Sequence, residues 1–148
     1  MKKFLFILLC LYSLFFVTLS LASPILAKFG FYKLSADFFF LFSGSCHQQP
    51  HLSFWIFGYP MPLCCRCFGV YVGSSIFSIL FASDKVKINL IIYIVLLLIN
   101  LLDLCLNYLF QVNTGKLLRF CNGVIMSFLI ISSMDYIYLK VRRRLSNV

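Results

Sequence analysis

The stretch INLIIYIVLLLINLLDLCLNYLF, residues 88–110, contains one charged side chain, Asp103, in an otherwise apolar run. A helix needs about 20 mainly apolar residues to cross the roughly 30 Å hydrocarbon core of a bilayer. The stretch therefore predicts a membrane-spanning helix. This feature places the chain among integral membrane proteins before any other motif is considered.

The composition agrees with that class. Hydrophobic residues make up 62% of the 148 residues and charged residues only 11%, whereas soluble domains contain about 25% charged residues. The net charge of +9 could suggest nucleic acid, but the basic residues cluster at the ends of apolar runs, as topology determinants do. We therefore expect a single domain surrounded by membrane lipids, with no nucleic-acid partner.

Three further apolar segments predict spanning helices over residues 4–22, 62–82 and 121–139. The predicted fold class is an all-α integral membrane bundle of about four transmembrane helices. Pro62 would occupy the first turn of its helix. Residues 34–45 are apolar but short, which favours a re-entrant or interfacial segment before the cysteine-rich motif. The first run could be a signal peptide, but its 19 residues favour an uncleaved helix.

The distribution of lysine and arginine predicts the orientation. With both termini in the cytoplasm, eight basic residues fall on the inner side: Lys2, Lys3, Lys85, Lys87, Lys140, Arg142, Arg143 and Arg144. Five fall on the outer side: Lys28, Lys33, Arg66, Lys116 and Arg119. We therefore expect a multi-pass protein of the inner (cytoplasmic) membrane, with the cysteine-rich motif on its extracytoplasmic side.

Polar residues recur every three or four positions along the third predicted span: Asn100, Asp103, Asn107 and Gln111. This spacing places them on one helix face, which should turn to the bundle interior because lipid disfavours polar groups. The polar residues near the same end of the next helix are Asn113, Arg119 and Asn122. Asp103 and Arg119 could form a buried pair with a catalytic role, or the whole set could be a structural network.

The most distinctive stretch is CHQQPHLSFWIFGYPMPLCCRCFGVYVG, which begins at Cys46. Cys64 and Cys67 form a C-x-x-C at a predicted helix start, where the helix N-terminus favours thiolates. The Pro- and Gly-rich loop before them could bring Cys46 and His47 to the pair. Three thiolates and one imidazole are a suitable ligand set for tetrahedral zinc. His51 is a spare ligand candidate.

The same C-x-x-C also allows a redox interpretation. Its position at the outer start of the second span resembles that in quinone-linked thiol–disulfide oxidoreductases of the DsbB type. Such proteins carry a second cysteine pair between the third and fourth helices, whereas here Cys105 and Cys121 lie within or beside apolar segments. Quinone would then be the cofactor, with Arg66 or Arg119 near its oxygen. A third alternative is a non-enzymatic membrane scaffold with a structural disulfide.

Other residues in these segments point to packing. Gly69 and Gly73 form a GxxxG pattern, with Cys65 one turn earlier, and small residues at this spacing let two helices approach closely. The isolated cysteines in apolar helices are typical of small core residues. Asp135 lies in the inner half of the last helix and could pair with an inner basic residue.

The motif resembles the signature of a widespread group of small prokaryotic membrane proteins, catalogued as a domain of unknown function. The matching elements are CHQ-x-P, S-F, G and P-x-C-x-R-C-x-G-x-Y-x-G, followed by an N-x-x-R-x-x-x-G-like element, over roughly residues 46–123. In the later part the counterparts are Asp103, Asn113 or a neighbour, Arg119 and Gly123. The resemblance places these residues in a shared site or scaffold: Cys46, His47, Gln48, Cys64, Arg66, Cys67, Gly69, Tyr71 and Gly73. Leu52 departs from the pattern, which usually has arginine there. The resemblance implies no activity.

The principal hypothesis is a zinc-type site at the extracytoplasmic face. Its metal ligands would be Cys46, His47, Cys64 and Cys67. Asp103, Arg119 and Gln48 would surround the site or contact a substrate, and Gln48 and Arg66 would contact a cofactor. Four protein ligands would make the metal structural, whereas an open position would allow hydrolysis at a lipid or peptide headgroup. Homo-oligomerisation and protein partners stay open.

Overall fold

The computed structural model of the protein describes residues 2–83, 89–109 and 114–146. Predictions that fall on residues 84–88 and 110–113, including those for Gln111 and Asn113, lie outside this part. In chain order the helices and strands are α1 (Lys2–Lys28), α2 (Tyr32–Phe42), β1 (Ser53–Ile56), β2 (Tyr59–Cys64), α3 (Cys65–Ala82), α4 (Leu90–Leu109) and α5 (Lys116–Ser146). A single 3₁₀ turn, Pro50–Leu52, precedes β1.

Four helices, α1, α3, α4 and α5, are long and apolar enough to span a membrane. The leucine and isoleucine side chains of α4 are largely exposed, which suits contact with lipid and not with water. The 11-residue α2 is too short to span and precedes the cysteine-rich motif. The predicted fold class, an integral membrane bundle of about four transmembrane helices, is confirmed.

The ring contacts define the directions of the helices. Phe16 of α1 stacks on Tyr71 of α3 with centroids 5.4 Å apart, while Phe6 shares a buried cluster with Phe81 near the other end of α3. These two helices are therefore antiparallel. Phe77 of α3 meets Phe128 of α5 at 5.1 Å, and the first turns of both helices also meet, so α3 and α5 are parallel. We call the end of the bundle at which α3 and α5 begin the cysteine end.

Glycines allow α3 and α5 to pack at close range. A Cβ atom added to Gly69 would lie closer than 3.0 Å to the carbonyl oxygen of Phe120, and one added to Gly123 would overlap the carbonyl oxygen of Arg66. At Gly73 the obstacle would be the side chain of Ser127. The packing role expected for the GxxxG pattern is therefore observed, and its partner surface belongs to α5.

An antiparallel hairpin of β1 and β2 covers the cysteine end, and it was not predicted. Ser53 pairs with Cys64, and Ile56 pairs with Tyr59. The two turn residues, Phe57 and Gly58, have φ values of 53° and 82°, as a two-residue hairpin turn requires. The helix predicted from residue 62 therefore begins only at Cys65, because the preceding residues are paired in β2.

Two other helices are longer than predicted. α1 continues from residue 22 to Lys28 with Pro24 inside it, and its last turns are tied to α2 by a 3.1 Å hydrogen bond between the Ser23 and Ser35 hydroxyls. α5 begins at Lys116 instead of residue 121 and ends at Ser146 instead of residue 139. Its polar ends can continue as helix because backbone hydrogen bonding does not require apolar side chains.

A buried ion pair joins the first and last helices at the opposite end from the cysteines. The Nζ atom of Lys2 lies 2.7 Å from the Oδ1 atom of Asp135, and both side chains are about nine-tenths buried. The sequence predicts a pair between Asp135 and a basic residue on its own side, and Lys2 is in that set. The pair holds the start of α1 against the second half of α5.

Candidate metal centre

Three cysteines meet where the loop after α2 reaches the junction of β2 and α3. Cys64 is the last residue of β2 and the N-cap residue of α3, and Cys67 follows three residues later on the same face. Cys46 follows α2 and is buried with Phe42 and Leu63, against which both other cysteines pack. The hairpin thus returns the chain so that residues 18 positions apart are in contact.

The three sulfur atoms, the Sγ atoms of Cys46, Cys64 and Cys67, all lie within 4.8 Å of one another. Sulfur ligands at about 2.3 Å from a tetrahedral zinc ion are about 3.8 Å apart. A contraction of about 1 Å at most would therefore bring the group to coordination distances. Three of the four predicted metal ligands are brought together in this way.

Backbone donors surround the sulfur of Cys46. The N–H of Cys64 donates to this sulfur at 3.2 Å, and the N–H of Gln48 donates at 3.5 Å. Gln48 reaches this position with a φ of 50°, a conformation that is uncommon for residues other than glycine. Hydrogen bonds of this kind favour a thiolate over a thiol, and thiolates are the form that binds metals.

The pKa values of Cys46 and Cys64 shift in opposite directions. Hydrogen bonding with Cys46 and then with Cys67 lowers the pKa of Cys64, and the backbone N–H groups of Cys67 and Arg66 lower it further. Hydrogen bonding with Cys64 in turn raises the pKa of Cys46. The metal-free group therefore holds a thiolate at Cys64 that is stabilised by neighbouring thiol protons.

The predicted histidine ligand lies outside the group. His47 is exposed, and the spare candidate His51 is exposed on the 3₁₀ turn. The side-chain amide of Gln48, expected near a cofactor, donates a 2.5 Å hydrogen bond to the carbonyl oxygen of Phe39 and so secures the loop to α2. The structure thus brings three thiols together without either histidine.

The polar residues on α4 form a network, but with a different arginine than expected. Asp103 is buried and pairs with Arg66 of α3 at 2.5 Å. The predicted direct pair of Asp103 with Arg119 is wrong in this structure, because Asn107 lies between them. The Asn107 amide nitrogen donates to Asp103 Oδ1 at 2.9 Å, and its oxygen accepts from Arg119.

This polar network, defined as Arg66, Asp103, Asn107, Thr114 and Arg119, lies on another face of α3 from the sulfur atoms. Arg66 extends to α4, whereas Cys64 and Cys67 face the cluster that includes Phe16 of α1. Residues at consecutive helix positions differ by about 100°, which explains why Arg66 and its neighbouring cysteines diverge. The sequence already contained a sign of this arrangement. Cys64 and Cys67 are three positions apart and share a helix face, so Arg66 between them must lie on another face.

The cysteines needed for a second exchange pair are on separate helices. Cys105 is exposed on α4 and Cys121 is exposed on α5, and both are free thiols. Of the described residues, only Cys46, Cys64 and Cys67 form a cluster of at least three metal-binding side chains. The cysteine cluster of the described residues therefore lies at the first turn of α3.

A small integral membrane bundle with a three-cysteine cluster at one end of its helices is the class that the fold and the site define. The family described as "Predicted membrane protein (DUF2085)" matches residues 46–133, more than half of the chain, and the chain belongs to this family. The matched segment includes all three clustered cysteines. Membership of an uncharacterised membrane protein family, expected from the motif, is confirmed.

A curated relative agrees with this membership. "Uncharacterized protein MJ1492" of Methanocaldococcus jannaschii is 38% identical over 90 residues, and the aligned part covers 57% of each chain. The chain thus spans little more than half the length of this relative. No solved structure matches the chain.

Proposed function

We propose that this protein is an inner-membrane protein that binds one zinc-type metal ion at its extracytoplasmic face. The ligands are Cys46, Cys64 and Cys67. The observation that carries the proposal is the convergence of these three sulfur atoms to within 4.8 Å, from two segments separated in the chain. Soft thiolate ligands in a tetrahedral arrangement select zinc over hard cations such as magnesium.

The surroundings of the sulfur atoms support a metal in preference to simple core packing. Two backbone N–H groups donate to Cys46, and the N-terminus of α3 favours negative charge on Cys64. An ordinary core cysteine needs neither feature, because it packs as a neutral, small apolar side chain. A divalent cation would balance the negative charge of the thiolates that bind it.

The fourth coordination position decides between the two roles of such a metal. With four protein ligands the ion would be structural, whereas three ligands leave a position for water, as in catalytic zinc sites. His47 is exposed beside Cys46, so the three-cysteine set leaves that position open. A metal-activated water there could hydrolyse a lipid or peptide headgroup.

The distribution of charge supports the extracytoplasmic placement. The opposite end of α5 carries Arg142, Arg143 and Arg144 after Lys140, a dense basic cluster that the positive-inside rule assigns to the cytoplasm. Because α5 runs from the cysteine end toward this cluster, the cysteines would then face outward. Both termini would be cytoplasmic.

The test is to purify the protein in detergent without chelator and to measure bound metal and free thiols on the same sample. About one metal ion per chain is expected, with the thiols of Cys46, Cys64 and Cys67 protected from alkylation until a chelator is added. The variant Cys64→Ser should lose the metal, and the control variant Cys105→Ser should retain it. A metal-free protein with a disulfide within the cluster would overturn the proposal and favour the redox or scaffold alternatives.

A further inference from the structure

The polar network between α3, α4 and α5 carries more positive than negative charge. The guanidinium group of Arg66 pairs directly with the carboxylate of Asp103, and that of Arg119 is linked to the same carboxylate through Asn107. Asp103 is 6% exposed, and Arg66 and Arg119 are only partly exposed. An uncompensated charge in such a position is unfavourable, so a group of opposite charge is expected beside it.

In the described part of the chain, the carboxylate that belongs to this network is that of Asp103. The sequence contains four acidic residues, all aspartates: Asp37, Asp84, Asp103 and Asp135. Asp135 pairs with Lys2 at the other end of the bundle. Asp37 is exposed on α2, which packs near the cysteines. Asp84 lies outside the described residues. Of the three described aspartates, Asp103 is the one that faces the two arginines.

One arginine also has an unused donor. The Nε atom of Arg66 is buried and has no hydrogen-bond partner in the described part of the chain, although its Nη2 atom is paired with Asp103. A buried donor without an acceptor is unfavourable, because it has lost its hydrogen bond to water. Lys116, exposed one turn before Arg119 on α5, adds a further cation at the same end.

The network lies near the cysteine end of the helices that carry it. Asp103 lies six residues, or about 9 Å, before the end of α4. Arg119 lies in the first turn of α5. The parallel helices α3 and α5 also begin here, and the positive ends of both helix dipoles add to the attraction for an anion.

We propose that Arg66 and Arg119, assisted by Lys116, bind the phosphate group of an anionic ligand at the cysteine end, on the face of α3 away from the cysteines. Guanidinium groups present paired N–H donors that match phosphate oxygens. The phosphate could belong to a lipid headgroup or to free inorganic phosphate. This site does not depend on the metal proposal, because no metal ligand takes part in it.

The experiment uses the full chain in a neutral detergent. Inorganic phosphate is added in one arm and phosphatidylglycerol in the other, and binding is measured by native mass spectrometry and by the shift in melting temperature. Binding in the lipid arm alone identifies a headgroup site, and binding in both arms identifies a general phosphate site. No binding of either probe would overturn the proposal.

Variants distinguish binding at this site from nonspecific attraction of phosphate to positive charge. Arg119→Gln should weaken phosphate binding about tenfold, the effect of one charge-assisted hydrogen bond. Lys116→Gln changes an exposed side chain, so it should fold even if Arg119→Gln does not, and it should also weaken binding. The matched control Lys140→Gln removes an exposed lysine from the opposite end of α5 and should have no effect. Equal losses in Lys116→Gln and Lys140→Gln would sink the proposal.

Discussion

The backbone N–H of Cys64 donates a 3.2 Å hydrogen bond to the Sγ atom of Cys46, across 18 residues of sequence. This bond joins the loop after α2 to the junction between the hairpin and α3. It also directs a backbone dipole at a sulfur atom that would otherwise be buried among apolar side chains. The chemistry of the site and the folding of the hairpin are coupled through this contact.

The ligand set predicted from the sequence includes His47, whereas the group of sulfur atoms in the structure does not. We predict that His47→Ala will retain about one metal ion per chain, because the imidazole is exposed and lies outside the group of sulfur atoms. Cys67→Ser should lose most of the metal, since it removes one of only three ligands. Metal content per chain is the measurement. If His47→Ala and Cys67→Ser lose metal equally, His47 is the fourth ligand.

Metal binding should weaken in acid. Hydrogen bonding with Cys64 raises the pKa of Cys46, so in the metal-free protein Cys46 is protonated at neutral pH and must release its proton to coordinate. Protons then compete with metal, and affinity falls as pH decreases. Calorimetric titration with zinc in buffers of different ionisation enthalpy measures the protons released. A titration heat that is the same in all buffers would contradict this prediction.

Packing between α3 and α5 should be sensitive to single methyl groups. Gly123→Ala would place Cβ against the carbonyl oxygen of Arg66, and backbone atoms cannot move aside as a flexible side chain can. We expect a loss of about 1–3 kcal/mol in stability, as for other overpacked sites. Gly115→Ala is the control, because an added Cβ there meets no atom within 4 Å. Thermal unfolding in detergent should show a lower midpoint for Gly123→Ala only.

The ion pair between α3 and α4 should contribute to stability. Asp103→Asn leaves Arg66 without its carboxylate partner, and removal of one member of a largely buried pair costs about 3 kcal/mol. Asp37→Asn removes an exposed carboxylate from α2 and should change stability little. Unfolding midpoints for the two variants provide the comparison. Equal midpoints would mean that solvent screens the pair.

The orientation can be tested with reporters. A fusion partner that is active only in the cytoplasm should be active when attached after Val148, because the basic cluster at the end of α5 is expected to stay inside. Cysteine-directed labelling of intact cells should then reach a cysteine introduced at Lys116, on the outer side. An inactive C-terminal reporter would reverse the orientation and place the three cysteines in the cytoplasm.

The sequence predicted the membrane class because apolar run length alone measures the capacity to span a bilayer. It did not reveal the hairpin, because Pro62 suggested a helix start. In a two-stranded hairpin, each strand has an unpaired edge where proline is tolerated. Helix spacing correctly grouped Asp103 with Asn107. It could not choose between arginines on neighbouring helices, since that depends on how α3 and α5 pack against α4.

Cys64 is shared by two elements, as the last residue of β2 and the N-cap of α3. Its partner in the hairpin is Ser53, so the strands cannot slip in register without moving a sulfur atom. Release of metal and loosening of the hairpin should thus be a single event. Protease should then cleave the Phe57–Gly58 turn more readily when the metal is released. The rate of cleavage would therefore report metal occupancy, because the metal site would hold the hairpin closed.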